Sequence, residues 1–456
     1  VSLLGAGLRV IVLEKLPVPC GRAGSYDDAF TGDRVDVGPH VLVSEYPNLL
    51  TLLERLGTRD RIVWHKDELI TLVSKRGTAS MRASPLPAPL HLLPSMLKVR
   101  DVSLRDKISN VRAMWRAMRL DERALMPLDA IPATQMLSDL GVTREFTDWF
   151  WRSAALSLLN VPLEECSGAA LMRLFAQLVS HDKYCFGFAD CALDELFWPA
   201  AQGVLREGEC EIQVDRAVAG LTHDGSTCTG VVLEDGSSIK AAHCVSCLPP
   251  AELMRVLPAT WKQAQTFRPI ATFRYCPYIS VYQWLDRKVT THRFWTQVWS
   301  KSHLNCDFYD LSNIRRGWAE RPSVIASNIV HSVGLENQSD DEIGERTLQE
   351  TARFAPEAAR ARVLHRRVHR ITMAIPCPHP GTEAIRPATQ TPYPGLLLAG
   401  DWTGTSLPAC MESASRSGFL AAERILARVG QPRTLAKMPS PPQGIAGLIH
   451  RVGRPS

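Results

Sequence analysis

Two glycine-bearing turns, one near each end of this 456-residue chain, carry the residue types best suited to chemistry. At the front, Arg9-Val10-Ile11-Val12-Leu13 is a short β-branched run that ends in Glu14. Continuous apolar runs are normal for strands buried on both faces of a parallel sheet. An acid closing the second strand of a βαβ unit hydrogen-bonds the ribose hydroxyls of a dinucleotide. The same residues also read as a plain surface helix and strand, and both readings stand on this segment alone. Cys20-Gly21-Arg22-Ala23-Gly24 follows; glycines let backbone approach a phosphate, and a nearby Arg can pair with it, although an ordinary turn has the same composition. Val35-Asp36-Val37-Gly38-Pro39-His40 reads as a strand entering a Gly-Pro turn. At the back, Leu396–Ala399 reads as a strand, Gly400-Asp401-Trp402 as a sharp turn, and Glu412–Arg428 as a long helix whose Ser413, Ala414, Ser415, Ser417 and Gly418 permit close approach of a neighbour.

The elements between these turns follow from periodicity. Helices are expected over Pro47–Leu56 (ending at Gly57), Ser103–Arg119, Ala130–Leu140, Arg144–Leu159, Cys166–Val179 and Asp340–Phe354. In the Ser103–Arg119 helix, Ser103 can cap with Asp106 at the third position. Leu104, Ile108, Val111, Trp115 and Met118 then form one stripe, with Arg105, Lys107, Arg112, Arg116 and Arg119 on the other sides. Such a helix suits either a protein core or an anionic bilayer surface. Pro85–Pro94 reads as an extended apolar loop. After Gly208 the period changes: Glu211–Val214, Ala217–Leu221, Thr229–Leu233, Ser238–Ala241 and Val245–Leu248 read as a meander of short strands, with Asp235-Gly236 as a hairpin turn. Ser280–Leu285 and Ser323–Val330 are further strands. Phe146, Trp149, Phe150 and Trp151 read as core packing or as walls of an apolar tunnel.

Composition narrows the class. Hydrophobic residues make up 45% and charged residues 22%, a globular balance. The net charge of +5 comes without a compact basic block or an aromatic-basic module, so nucleic acid is not an expected partner. No apolar run reaches the ~18 residues of a membrane span, and Glu14 interrupts the early apolar stretch that a signal peptide would need. A cytoplasmic protein, at most peripheral to the inner membrane, is expected. The twelve cysteines are scattered, and Cys244-x-x-Cys247 sits in an apolar run without a second ligand pair, so a reduced buried strand is expected rather than a zinc site. No Ser-His-Asp or metal constellation is evident, and no metal is expected.

Together the motifs resemble those of the FAD-dependent amine oxidase and phytoene desaturase superfamily, with the squalene-associated hydroxysqualene dehydroxylases as the nearest likeness and plant-type carotene desaturases next. Val10–Glu14 resembles the second strand with its ribose-binding acid, Gly21-Arg22-Ala23 the Gly-Gly-Arg loop, and Asp36-Val37-Gly38-Pro39-His40 the Asp-x-Gly-x-His segment near the flavin. Leu398–Thr403, with Leu407-Pro408 and Met411-Glu412-Ser413-Ala414-x-Arg416-Ser417-Gly418, resembles the C-terminal FAD motif. The resemblance runs from Val1 to about Arg428. It implies an α/β fold: a Rossmann-like FAD-binding domain interleaved with an α+β substrate domain. The implied division is 1–85, 201–250 and 371–430 for the nucleotide part, 86–200 for a helical cap, 251–370 for a substrate sheet, and 431–456 for a disordered tail.

The resemblance also implies roles. Glu14 would hold the adenosine ribose, Gly21, Arg22 and Ala23 the pyrophosphate or flavin face, and Gly38, Pro39 and His40 the flavin surroundings. Backbone around Val218 would meet the adenine. Gly400, Asp401 and Trp402 would meet the pyrophosphate and ribityl chain, and Met411, Glu412 and Ser413 the pyrimidine edge. His40 is the one weak catalytic candidate, with a structural hydrogen bond the favoured role. Two departures stand out. The glycine-rich phosphate loop should precede Glu14 by about 20 residues, which runs past Val1, so it and its strand are expected to lie outside this chain. Cys20 also stands where the family has a glycine. The implied activity is hydride transfer between FAD and a hydrophobic isoprenoid, as a dehydroxylase or desaturase. Alternatives are a flavin amine oxidase, with Trp295, Trp299, Phe308 and Tyr309 as possible cage residues, and a non-catalytic remnant.

Overall fold

The computed structural model describes residues 1–66, 68–182, 184–206, 208 and 210–452. Its framework is a seven-stranded mixed sheet. In spatial order the strands are Val363–Pro376, Tyr275–Leu285, Val324–Val330, Asp307–Asp310, Phe294–Gln297, Ile70–Ser74 and Gly77–Met81. Five of the six pairings are antiparallel; the exception is the parallel pairing of Phe294–Gln297 with Ile70–Ser74. Strands from both sides of residue 85 therefore share this sheet, and Val363–Pro376 runs across residue 370. Tyr282, Ser327, Phe308 and Trp295 are all buried, so both faces of the central strands are covered. One face packs Trp295 and Phe308 against Phe354 of helix Asp340–Phe354. The other packs Tyr282, Tyr309 and Phe294 against Val35, Val43, Phe186 and Phe188.

Two parallel strand pairs lie outside this sheet. Val10–Leu13 pairs with Cys210–Gln213, and Cys244–Ser246 pairs with Leu396–Leu398. No strand among the described residues joins the two pairs. The expected meander is thus divided. Cys210–Gln213 and Cys244–Ser246 serve the two parallel pairs, while Val218–His223, Cys228–Leu233 and Ser238–Lys240 make a separate antiparallel sheet. Pairing partners more than 150 residues away decide this, and local alternation carries no information about them. The Asp235-Gly236 hairpin is present, with Gly236 at φ +82°.

The helical layer is built around Gly168–Ser180, which Ser167 caps through the amides of Ala169 and Ala170. Phe146, Trp149 and Trp151 are core side chains here, and Phe175 contacts Trp151 edge-on, so these aromatics pack the cap. Helix Pro47–Leu56 ends at Gly57 in the left-handed conformation, and Arg144–Leu159 carries a π-turn over Thr147–Trp151. Three expectations change. Pro94 lies in the first turn of helix Leu93–Lys98, where a missing N–H costs nothing. The Ser103–Arg119 segment is two helices, Leu104–Ser109 and Val111–Met118, on either side of Asn110, with the Ser103/Asp106 capping box in place. The segment after 430 is structured as far as it is described. Glu423 accepts from the Leu435 and Ala436 amides, and helix Gly444–Val452 packs beside Val111–Met118 and Gly168–Ser180. Residues 453–456 lie outside the described residues.

Cys244 lies in its strand as expected, whereas Cys247 falls just beyond it and is exposed. No group of metal-ligating side chains occurs among the described residues, and no described helix is long and apolar enough to cross a membrane.

Candidate functional site

The front and back turns meet. Arg22 Nη2 donates to Asp401 Oδ1 at 2.8 Å, and Arg22 Nη1 donates to the Ala374 carbonyl at 2.8 Å. Burial works against the Arg22 charge, but Asp401 outweighs it and holds the guanidinium pKa above its ordinary value. Gly21-Arg22-Ala23 forms a 3₁₀ turn closed by Ala23 N–H to Cys20 O and Gly24 N–H to Gly21 O. Cys20 takes φ +96° and Gly21 φ +50°. A cysteine at that φ is strained, which is the reason a glycine suits the position.

The back turn is held from several sides. Gly400 takes φ +139°, and its N–H donates to Ser417 Oγ at 2.7 Å. The Asp401 carbonyl accepts from Arg386 Nη2 at 2.8 Å and from Ser413 Oγ at 3.1 Å. Arg386 also donates to the carbonyls of Thr403 and Leu407 and pairs with Glu383, so one guanidinium spans the whole 401–407 turn. Burial of Glu383 is outweighed by Arg386 and Arg173, which hold its carboxyl below the ordinary range. Trp402 points inward: its side chain is core, and its indole N–H donates to the Leu248 carbonyl at 3.1 Å.

The last helix, Met411–Arg428, starts without a hydroxyl or carboxylate cap; its N-cap residue is Cys410. Glu412 turns away from that end. Its carboxylate accepts from the Asn48 and Leu49 amides at 2.8–3.1 Å and from Asn48 Nδ2 at 2.5 Å, capping helix Pro47–Leu56 instead. Burial raises the Glu412 pKa. The side chains of Trp402 and Glu412 are thus structural anchors, each satisfying a buried donor or acceptor elsewhere, and the expectation at the start of the last helix rests on its backbone.

Glu14 sits where its strand ends. Its N–H donates to Gln213 O, its own carbonyl accepts from Arg216 N–H, and its Oε1 takes the Leu16 amide at 2.9 Å. Val218 begins the next strand, with its carbonyl taken by Arg255 at 3.1 Å. No hydrogen bond links Glu14 to Asp401 among the described residues; Arg22 is the front-to-back link. Gly38 and Pro39 are buried. A Cβ on Gly38 would lie 2.9 Å from Ser280 Oγ and 3.5 Å from the Tyr278 ring, so this segment rests on the seven-stranded sheet. His40 Nδ1 lies 2.7 Å from the Gly38 carbonyl, which fixes that nitrogen as the protonated one. Burial lowers the His40 pKa and keeps the imidazole neutral. Asp36 Oδ2 pairs with Arg315 at 2.7 Å, and Asp36 Oδ1 accepts from Ser25 and the Leu193 amide.

On the sheet face beneath Gly38, one register row runs His369, Ser280, Asn328, Asp307, Thr296. Asp307 is fully buried with the Thr296 and Ser157 hydroxyls at 2.8 and 3.2 Å, and burial pushes its carboxyl up to about 6. Strand alternation separates the expected aromatic cage: Trp295 and Phe308 stack together on the helix-covered face, Tyr309 lies on the opposite one, and Trp299 carries the Arg152 guanidinium 4.5 Å from its ring centre. Sequence reasoning missed Arg386, Asp307 and the Asp36–Arg315 pair, since nothing near them in the chain marks their partners.

The family model described as flavin containing amine oxidoreductase matches residues 1–426. The chain belongs to that family, which implies a flavin cofactor, FAD. It is 28% identical over 440 residues to the 15-cis-phytoene desaturase of Solanum lycopersicum, covering 93% of this chain and 74% of that one. It is 26% identical to the 15-cis-phytoene desaturase of Synechococcus elongatus (93% and 92% covered) and 24% identical to the zeta-carotene desaturase of Synechocystis (95% and 96% covered). Among solved structures, putrescine oxidase bound to putrescine shares the fold at a TM-score of 0.70 and 15% identity, covering 94% of this chain and 95% of that one. Cyclohexylamine oxidase from Brevibacterium oxydans does so at 0.68 and 16%, with 94% and 96% covered. The mixed α/β architecture is therefore that of flavin amine oxidases over nearly the whole chain.

Proposed function

We propose that this chain is an FAD-dependent oxidoreductase that exchanges hydride with a hydrophobic isoprenoid, as a desaturase. The observation that carries the reading is the Arg22–Asp401 contact, which brings the two motif-bearing ends together beside the Gly38–His40 segment and the sheet face beneath it. The chain's own residues fit the cofactor. Gly400 at φ +139° lets the turn stay tight over the Trp402 indole, which fills the space a Cβ would take, and the uncapped start of Met411–Arg428 offers amides to an electron-rich ring edge. Glu14, Gly21, Arg22, Ala23, Asp401 and the 411–413 backbone would hold it, with Val218 near the adenine. Bound FAD would supply the redox chemistry. Arg22 would orient it, and neutral His40 would brace the Gly38 turn rather than move a proton. The carotenoid desaturase relatives support desaturation over the dehydroxylase variant of the same hydride chemistry.

One observation favours a second reading, amine oxidation. Asp307 is a buried carboxyl whose hydrogen-bond partners are neutral hydroxyls, and an ammonium group would stabilise its charge. The test is to purify the chain, record its visible spectrum with and without added FAD, and incubate it with phytoene, hydroxysqualene and a simple amine before product analysis. A yellow protein that desaturates phytoene is expected. Turnover of the amine alone would replace the proposal with the second reading, and a chain that stays colourless with FAD would mark a non-catalytic remnant.

A further inference from the structure

The apolar stripe of Leu104–Met118 does not face the core. Leu104, Ile108, Val111 and Trp115 are 49–61% exposed, and only Met118 at its end is buried. Asn110 keeps α-type backbone angles (φ −78°, ψ −8°), so the spacing i, i+4, i+7, i+11 continues across the break and aligns the four side chains on one side. The preceding helix adds Leu93 and Leu97, also exposed and one turn apart. Lys107 ties the two helices together by donating to the Leu97 and Val99 carbonyls. A solvated helix normally turns its apolar stripe inward; four aligned exposed side chains, with two more exposed on the preceding helix, mark a contact surface.

Charge identifies the contact. Residues 93–119 hold seven Lys and Arg against two Asp, a balance of +5 that equals the net charge of the whole chain. One of those two acids, Asp106, is engaged in the Ser103 capping box. Arg119 lies 5.9 Å from the Trp115 ring, which sets a cation beside an amphipathic aromatic. Leucines and a tryptophan on a convex helix surface, flanked by arginines, match an anionic lipid interface: the apolar side chains enter the acyl boundary while the guanidinium groups meet headgroup phosphates. We infer that helices Leu93–Lys98, Leu104–Ser109 and Val111–Met118 form a membrane-docking face that seats the protein on anionic bilayers. This rests on the exposed stripe and its charge, independently of the flavin reading.

The test is co-sedimentation of the full chain with sucrose-loaded vesicles of phosphatidylcholine alone or mixed with phosphatidylglycerol. Binding to the anionic vesicles is expected, weakened by salt and by Arg105→Gln/Arg112→Gln/Arg116→Gln. Leu104→Asp/Ile108→Asp is expected to reduce it about tenfold or more while leaving the far-UV circular dichroism and melting curve unchanged. If that variant fails to fold, Leu104→Ser/Ile108→Ser takes its place. Absence of binding to anionic vesicles, or equal binding by the variants, would overturn the inference. So would a lipid-free dimer by sedimentation velocity that Leu104→Asp/Ile108→Asp converts to monomer, because a second copy would then cover the stripe.

Discussion

The two turns that meet at Arg22 and Asp401 are built to different standards. The back turn is held by Arg386 on three carbonyls, by Ser413 on the Asp401 carbonyl and by Ser417 on the Gly400 amide, with Trp402 locked in the core. The front turn is closed by two local backbone bonds, is strained at Cys20, and is joined to the rest by Arg22 and by the Val37 N–H on the Gly24 carbonyl. An extended ligand lying between the two turns would meet one wall fixed by many bonds and one fixed by few. The contrast predicts a hierarchy of mutational cost. Arg386→Ala should be the most damaging change. The Arg386 side chain is 5% exposed, and its loss takes a donor from three carbonyls, that of Leu407 most severely, and removes one of the two guanidinium partners of Glu383. A cost of about 3–5 kcal/mol follows, readable as a fall in urea midpoint together with lost FAD retention. A cost below about 1 kcal/mol would show that the back turn is no better held than the front.

The front segment rests on the sheet face that holds Asp307, and acidity should reveal how that face is held. The Asp307 carboxyl is raised from 3.8 to about 6 by burial. Between those values the folded state binds a proton that the unfolded chain has lost, so stability falls as pH rises through this window, by about 3 kcal/mol in all. Below about 4 both states are protonated and the penalty is absent. Asp307→Asn should flatten this part of the stability profile and leave the variant more stable than the parent above pH 6. Parallel profiles for the two proteins from pH 4 to 7 would show that Asp307 does not titrate in this range.

Glu412→Ala sharpens the comparison from the other side, because it separates the last helix from Pro47–Leu56 without touching either turn. The Asn48 and Leu49 amides would lose their acceptor, at a cost of about 2 kcal/mol. Glu412→Gln, which keeps an acceptor, should recover most of it. Equal thermal unfolding of the alanine and parent proteins would remove Glu412 from the account of how the back helix is anchored.

What the sequence disclosed and what it withheld follow the range of the interactions. Asp340–Phe354 and Pro47–Leu56 were legible to the residue because caps and apolar period are written within one or two turns: Ser339 with Glu342 for the first, Pro47 and Gly57 for the second. Strand Val363–Pro376 was not legible. Its arginines give it no apolar alternation; Arg366 and Arg370 instead pair with Asp341, Glu345 and Asp340 on the neighbouring helix, and pairing with Tyr275–Leu285 imposes the extended state. The site divides in the same way. Gly21-Arg22 and Gly400-Asp401 are visible as local turns, whereas the Arg386 staple and the cap that Glu412 provides exist only across gaps of 15 to 364 residues.

The smallest expected effect tests the front turn directly. Cys20 holds φ +96°, a conformation open to glycine and costly for a residue with a Cβ. Cys20→Gly relieves that strain in the folded state but also loosens the unfolded chain, and the two effects oppose each other. With the native φ unfavourable to cysteine, the strain term should prevail, for a net gain of about 0.5–1 kcal/mol. The gain should appear as a small rise in urea midpoint with no change in slope. Cys20→Ala retains the Cβ and should bring no such gain. If alanine stabilises as much as glycine, the benefit comes from removing the thiol, and the front turn is not strained in the sense that sets it apart from the back.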